Sequence, residues 1–279
     1  MSGKLYVVGT PIGNLEDFSP RAVRVLSEVD FIAAEDTRVT VKLLNHFSLK
    51  KEMLAYYEHN KAGQGNKILE RLLNGENCAL VSDAGMPAIS DPGEDLVRQA
   101  HEAGIPVESV PGPSALITAL AISGMKSGRF CFEGFLSVNK ISRRQHLNEV
   151  KNDPRTLIFY EAPHKLAATL QDMLEAFGDR EITLLRELTK VHETVIRTTL
   201  AEAANRYREE TPRGEFVLII AGKPPEEETI REEDALVLAK QLIAGGSTLS
   251  AAAKEAANLS GIKKGELYKR LLEDREITK

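Results

Sequence analysis

The stretch Ser82-Asp-Ala-Gly-Met-Pro-Ala-Ile-Ser-Asp-Pro-Gly93 lies between two patterns of different period. Before it, Cys78-Ala-Leu-Val81 is a continuous apolar run of strand length; after it, Glu94-Asp-Leu-Val-Arg-Gln-Ala-His101 has helical spacing. A strand feeding a Gly/Pro-rich loop feeding a helix is the repeating unit of open α/β sheets, and such sheets take ligands outside the carboxyl ends of their strands. Gly85, Gly93, Pro87 and Pro92 impose an unusual backbone path. Asp83 and Asp91 add carboxylates, and bare backbone beside the glycines permits close approach by a ligand. A rigid connection that merely caps the following helix is the competing reading.

The same alternation extends both ways. Strand-like runs at Lys4–Gly9, Asp30–Glu35, Ala79–Ser82 and Pro106–Val110 alternate with helical patterns at Arg21–Ser27, Val39–Phe47, Leu96–Ala103 and Ala115–Ser123. This is the signature of a mostly parallel sheet with helices on its faces. A second cycle begins at Phe130–Phe135 and runs through Thr156–Tyr160, a helix over Lys165–Phe177, Glu181–Leu185 and Gly214–Gly222. Lys223-Pro-Pro-Glu-Glu-Glu228 reads as a linker, because two prolines and three like charges do not join a packed element. Helical patterns over Asp234–Ile243, Leu249–Ala257 and Lys263–Glu273 follow, with a tight turn expected at Asn258–Ile262. The expected division is an N-terminal α/β domain over 1–115, a second α/β domain over 116–223 and a helical domain over 229–279.

Composition excludes several classes. Across 279 residues, 42% hydrophobic and 28% charged content is that of a globular protein, and no apolar run approaches the length of a membrane span. The start, Met1-Ser-Gly-Lys-Leu-Tyr-Val-Val-Gly9, enters a strand without a signal-peptide pattern, and Cys78 and Cys131 read as buried free thiols; a cytoplasmic location is expected. The net charge of −5 argues against a broadly cationic nucleic-acid coat but leaves room for a local patch. Gly9-Thr-Pro-Ile-Gly13 has Gly-x-x-x-Gly spacing, which disfavours the dinucleotide fingerprint, and no P-loop, His-Glu-x-x-His or Cys-x-x-Cys occurs, so no metal is expected.

Further loops follow strands: Glu35-Asp-Thr-Arg38, Pro111-Gly-Pro-Ser-Ala115, Glu161-Ala-Pro-His164 and Arg186-Glu-Leu-Thr-Lys190. Parallel strands would bring them to one edge. Pro111–Ser114 could offer amides and a hydroxyl to an anion at a helix N-terminus. Among the histidines, His46 and His101 fall in amphipathic helices, while His59 and His164 fall near strand ends.

Taken together, Gly9–Leu15, Glu35–Arg38, Ser82–Gly93, Pro111–Ala115, Phe159–His164 and Arg186–Lys190 resemble the tetrapyrrole-methylase superfamily, and most closely its branch that 2′-O-methylates 16S rRNA in bacteria. Ala162 stands where that pattern often has Ser. The resemblance implies two α/β domains with S-adenosylmethionine in the cleft between them, a small C-terminal helical domain and a homodimer. It places the donor against Pro11, Asp83, Met86, Ser114 and Ala115 from the first domain and Tyr160, Leu185 and the Pro212–Gly214 turn from the second. The implied reaction is in-line methyl transfer to the ribose 2′-oxygen of cytidine 1402 in 16S rRNA, within the small ribosomal subunit. A neutral 2′-hydroxyl is a poor nucleophile, so a proton acceptor is needed, for which Glu35, Asp36 and His59 are candidates. Arg38 and Lys190 are candidates for gripping phosphate.

The C-terminal helix pattern, with Lys263, Lys264, Lys269 and Arg270, reads as an RNA contact, although residues 231–279 carry nine positive and eight negative side chains, which also suits a plain helical cap. A small-molecule, tetrapyrrole-like methyltransferase is the alternative enzyme, and a ligand-sensing nucleic-acid-binding regulator the alternative from another class.

Overall fold

A computed structural model describes residues 2–224, 232–260 and 262–277. Two compact units emerge, Met1–Lys223 and Pro224–Lys279. In the first unit the chain runs β1 (Leu5–Val8), α1 (Pro20–Glu28), β2 (Phe31–Ala34), α2 (Thr37–His46), β3 (Glu52–Ala55), α3 (Lys61–Leu73), β4 (Cys78–Val81), α4 (Gly93–Glu102) and β5 (Val107–Val110). It continues through α5 (Ala115–Ser123), β6 (Phe130–Phe135), α6 (Lys140–Val150), β7 (Thr156–Glu161), α7 (Pro163–Phe177), β8 (Glu181–Arg186), β9 (Thr194–Thr199), α8 (Leu200–Glu209) and β10 (Phe216–Ile220).

The first sheet has the order β3-β2-β4-β1-β5 and is parallel throughout. Its central strands β2 and β4 are buried on both faces, as their unbroken apolar runs require, while the edge strands β3 and β5 are partly exposed. In β2, Ile32 and Ala34 pack with α1 and α2, while Phe31 and Ala33 pack with α3 and α4. Local signals start the helices: Ser19 Oγ accepts the Ala22 amide at 3.1 Å and Pro20 opens α1, whose buried Ala22, Val25 and Leu26 mark the core-facing stripe.

The second sheet, β6-β7-β10-β8-β9, corrects the expectation of parallel strands. Only β6 and β7 run parallel; β10 lies antiparallel between β7 and β8, and β9 returns antiparallel on β8. Because β10 runs against both neighbours, the ends of β7 and β8 and the start of β10 share one edge: Phe216 pairs with Glu161 and with Arg186. Helices α6, α7 and α8 cover one face around Leu147, Leu166, Leu170 and Leu200. The other face takes α5 through Leu116, Ala119 and Leu120, packed on Ile158, Leu185, Val217 and Ile219.

The C-terminal unit holds α9 (Glu232–Ala244), α10 (Leu249–Ser260) and α11 (Lys264–Ile277) around Ala235, Ala239, Ala252, Ala253, Ala256, Leu267 and Leu271. Small alanines let helices approach closely. The turn expected at Asn258–Ile262 is shorter than read, since α10 continues to Ser260, whose Oγ donates back to the Ala256 carbonyl at 2.7 Å. Gly261 and most of the expected linker, residues 225–228, lie outside the described residues. No described helix is long and apolar enough to cross a membrane.

Candidate functional site

A cavity of about 550 Å³ opens within the first unit where the edges of its two sheets meet. The first sheet lines it with Ile12, Glu35, the Ser82–Met86 segment and Ile89–Asp91; Ser114 and Ala115 follow, and the second sheet adds Phe135, Tyr160, Leu185, Lys190 and Phe216. The lining is mainly apolar with a few convergent polar groups, the composition of small-molecule sites.

The loop after β4 is built by its own carboxylate. Asp91 Oδ1 accepts the amides of Ala88 and Gly93 at 3.0 and 2.8 Å, which folds the segment back on itself. Ala88 at φ +67° and Ser90 at φ +143° hold backbone conformations that L residues rarely adopt, as do Glu187 at +54° and Thr189 at +63° in the loop after β8. Such strain persists only where surrounding contacts over-determine it, and both loops belong to the cavity wall. Gly85, at φ +87°, exchanges two backbone hydrogen bonds with Thr10 at 2.9 and 3.1 Å and so ties this loop to the one after β1. Gly9 is needed for contact: a Cβ there would sit 2.7 Å from Gly112 Cα and from Met86 Sδ.

Two carboxylates face each other across strands β2 and β4. Asp83 Oδ1 accepts the Asp36 amide at 3.0 Å, and Glu35 Oε2 accepts the Asp83 amide at 3.3 Å. Burial raises the pKa of Glu35, and the neighbouring charges of Asp83, Asp91 and Asp36 add to it. Burial likewise raises Asp83. Among the described residues neither has a cation within ion-pair distance, so both are acids held short of full neutralisation.

Where the second sheet borders the cavity its charges are matched. Burial opposes the charge on Lys190, but its ammonium lies 3.0 Å from both Glu187 Oε1 and Glu215 Oε2, and these partners raise its pKa overall. Glu161, buried at the end of β7, accepts from the Ala162 amide and Thr169 Oγ1 and pairs with Lys165 at 2.8 Å. Tyr160 joins the two halves: its hydroxyl accepts the Leu116 amide at the start of α5 at 2.9 Å, and its ring lies edge-on to Phe132 and Phe135.

The sequence-expected residues separate accordingly. Asp83, Met86, Ser114, Ala115, Tyr160 and Leu185 all line the cavity, as do Glu35 and Lys190. Pro11 does not: it lines an adjoining recess of about 260 Å³ that shares Ser82 and Asp83 with the main cavity. Pro212 lines a separate pocket beside Arg186, and Gly214 packs on the Glu187 side chain, so the Pro212–Gly214 turn props the wall without forming it. Asp36 is the N-cap of α2, and its carboxylate is clamped by Arg38 at 2.6 Å, which holds its pKa at about 2; it is a poor proton acceptor and lies off the cavity. Arg38 itself is 87% exposed. His59 is an exposed turn residue after β3, the edge strand of the first sheet, away from the cavity lining. Lys263, Lys264, Lys269 and Arg270 are exposed in the C-terminal unit, with Lys269 3.9 Å from Glu273. Reading motifs one at a time missed Phe135, Glu215 and Phe216, whose roles follow only from the strand pairing. Among the described residues no group of His, Cys, Asp and Glu has metal-holding geometry.

Residues 4–204 match the profile of the Tetrapyrrole (Corrin/Porphyrin) Methylases. The chain belongs to this family. A ribosomal RNA small subunit methyltransferase I from Synechocystis is 48% identical over 273 residues, covering 97% of this chain and 98% of the relative. A protein of the same name from Thermotoga maritima is also 48% identical, over 221 residues that make up 79% of this chain but 99% of the relative. Among solved structures, uroporphyrin-III C-methyltransferase from Thermus thermophilus, complexed with S-adenosylhomocysteine, shares the fold with TM-score 0.56 at 19% identity, covering 78% of this chain and 97% of that one.

Proposed function

We propose that the protein is an S-adenosylmethionine-dependent methyltransferase of small-subunit rRNA, acting on the ribose 2′-oxygen of cytidine 1402 in 16S rRNA. The observation that carries the reading is the two-sheet cavity, with its apolar walls, close backbone and the raised-pKa carboxylates Glu35 and Asp83, in a chain nearly half identical along its length to named rRNA methyltransferases. The residues fit a nucleoside with an amino-acid tail: Met86, Ala115, Tyr160 and Leu185 offer apolar cover, while Asp83 and Ser114 offer polar contacts. Bound there, the donor supplies an electrophilic methyl group, the hard part of the chemistry.

The chain's own residues align the acceptor, exclude water and take a proton. Of the candidate acceptors only Glu35 lies on the cavity wall, and its raised pKa suits the role. Lys190, fixed by Glu187 and Glu215, shapes the rim, and exposed Arg38 is assigned to a phosphate in this reading, which requires it to leave Asp36. The same reading includes a homodimer, a cytoplasmic location, the assembled small subunit as substrate and a helical RNA-contact segment over 229–279. In keeping with a separable role for that segment, the Thermotoga maritima relative is matched along 99% of its length by 79% of this chain. Deleting residues 224–279 is expected to leave donor affinity intact and to weaken subunit binding.

The test incubates the purified protein with labelled donor and undermethylated small subunits, then maps the label by nuclease digestion. Label on one ribose 2′-oxygen is the expected result. Label on a base, or transfer only to small tetrapyrrole-like acceptors, would overturn the assignment.

A further inference from the structure

A second pocket, of about 310 Å³, lies on the other face of the strand that walls the first. Side chains alternate along β8, so Leu185 points into the donor cavity while Arg186 points to the face covered by α7 and α8, where Leu184 packs. Thr194, directly across the ladder on β9, shares that face, and Arg206 and Tyr207 of α8 and Thr211 complete the walls.

The polar accounting in this pocket does not close. Arg186 Nε and Thr194 Oγ1 are both fully buried, yet neither has a hydrogen-bond partner. Among the described residues no carboxylate lies within ion-pair distance of Arg186; Glu210, the acidic side chain of the lining, is engaged by Arg206 Nε at 3.0 Å. A buried donor without an acceptor costs free energy, and a guanidinium more so, unless something supplies the acceptor. The planar fork of an arginine beside hydroxyl donors is matched by a tetrahedral oxyanion. Lys190, the basic side chain in the lining of the donor cavity, has carboxylate partners instead.

We propose that Arg186 and Thr194, flanked by Arg206 and Thr211, form a phosphate-binding site, and that the phosphate it takes is a backbone phosphodiester of the RNA whose target nucleotide enters the neighbouring cavity. The source of the phosphate rests on the proposed function above; the existence of the site does not. A chain with one nucleotide in the donor cavity carries phosphates past the shared sheet edge, and Arg186 ends the strand at that edge, in register with Phe216 of the cavity wall. The contact is blind to base identity and fixes register and orientation of the strand.

The full-length protein, labelled at arginine Nε, tests this. The Arg186 Nε–H signal, assigned by its loss in Arg186→Gln, is followed while inorganic phosphate and, separately, a short oligoribonucleotide are added. Both are expected to shift it. Arg186→Gln and Thr194→Val are expected to weaken small-subunit binding about tenfold, and Arg186→Gln to reduce the salt slope of log K by about one. Thr194→Val, which keeps the side-chain size, serves if Arg186→Gln misfolds, with donor affinity and melting temperature as folding controls. A signal moved by phosphate but not by RNA overturns the phosphodiester assignment and leaves a site for free phosphate. A signal moved by neither overturns the site. Phosphate binding in a protein that fails to methylate small subunits would sink the proposed function and spare the pocket.

Discussion

In the first sheet every strand runs the same way, so the loops after β1, β2, β4 and β5 come to one edge together. In the second sheet β10 runs against β7 and β8, and the same edge is reached by two strand ends and one strand beginning. The charges follow the same division. Among the described residues the first sheet brings Glu35 and Asp83 to the cavity with no cation within ion-pair distance, whereas the second brings Glu161, Lys165, Glu187, Lys190 and Glu215 as closed ion pairs. One side holds carboxylates of raised pKa on a parallel frame; the other side has its cavity-facing charges paired and supplies the wall. Function and stability should therefore separate along the line between the sheets.

The largest effect expected is on stability, from the second sheet. Asp172 of α7 receives Arg143 at 2.6 Å and Arg144 at 2.8 Å, and both Asp172 and Arg143 are buried. Asp172→Ala strands a buried guanidinium and should cost about 4 kcal/mol in urea unfolding, with donor affinity unchanged in the folded fraction. A loss of donor affinity beyond the unfolded fraction would break the separation. Next comes Gly9→Val in the first sheet, where the new side chain must displace Gly112 and Met86. It is expected to cost about 3 kcal/mol and to lower donor affinity as well, measured by calorimetry, because those contacts shape the cavity wall.

The smallest effect sharpens the charge comparison. Glu35 titrates in the folded protein above its ordinary 4.5. A raised folded pKa means that its contribution to stability is fully present below the unfolded pKa and is lost as pH rises through the folded one. Glu35→Gln should thus match the parent protein in urea midpoint near pH 3.5 and exceed it at pH 7. A variant less stable at pH 7 would show that the hydrogen bond from the Asp83 amide outweighs the cost of burying the charge. Methyl transfer should fall in the same variant although it is the more stable protein.

How much of this was legible in the sequence depended on whether local pattern or long-range pairing carried the information. Cys78–Val81 and Ala115–Ser123 were readable because strongly apolar runs with Gly and Pro in the adjoining loops leave few alternatives. Helix α3 was not, because Gly63 and Gly65 interrupt its first turns and its stability comes from packing Ile68 and Leu72 on the sheet. Strand β9 was hidden by Arg197 and by its exposed alternate residues, as befits an edge strand. The antiparallel course of β10 leaves no local trace, so Glu215 and Phe216 could not be assigned to the wall. Asp36 and Asp83 are both acidic loop residues after strands; only the position of Arg38 beside Asp36 tells them apart.

The chain leaves the first sheet directly from β5, crosses four residues, Pro111–Ser114, and enters α5, which docks on the second sheet, where Tyr160 receives the Leu116 amide of its first turn. The two halves are therefore spliced through the wall of the cavity itself and not joined by a tether beside it. Neither half can be borrowed as a ready-made donor-binding module: a fragment ending at β5 would carry Glu35 and Asp83 but no roof, and one beginning at α5 a roof over nothing. Whatever variation this architecture admits in its acceptor has to be introduced at the rim, because the seam leaves no slack at the centre.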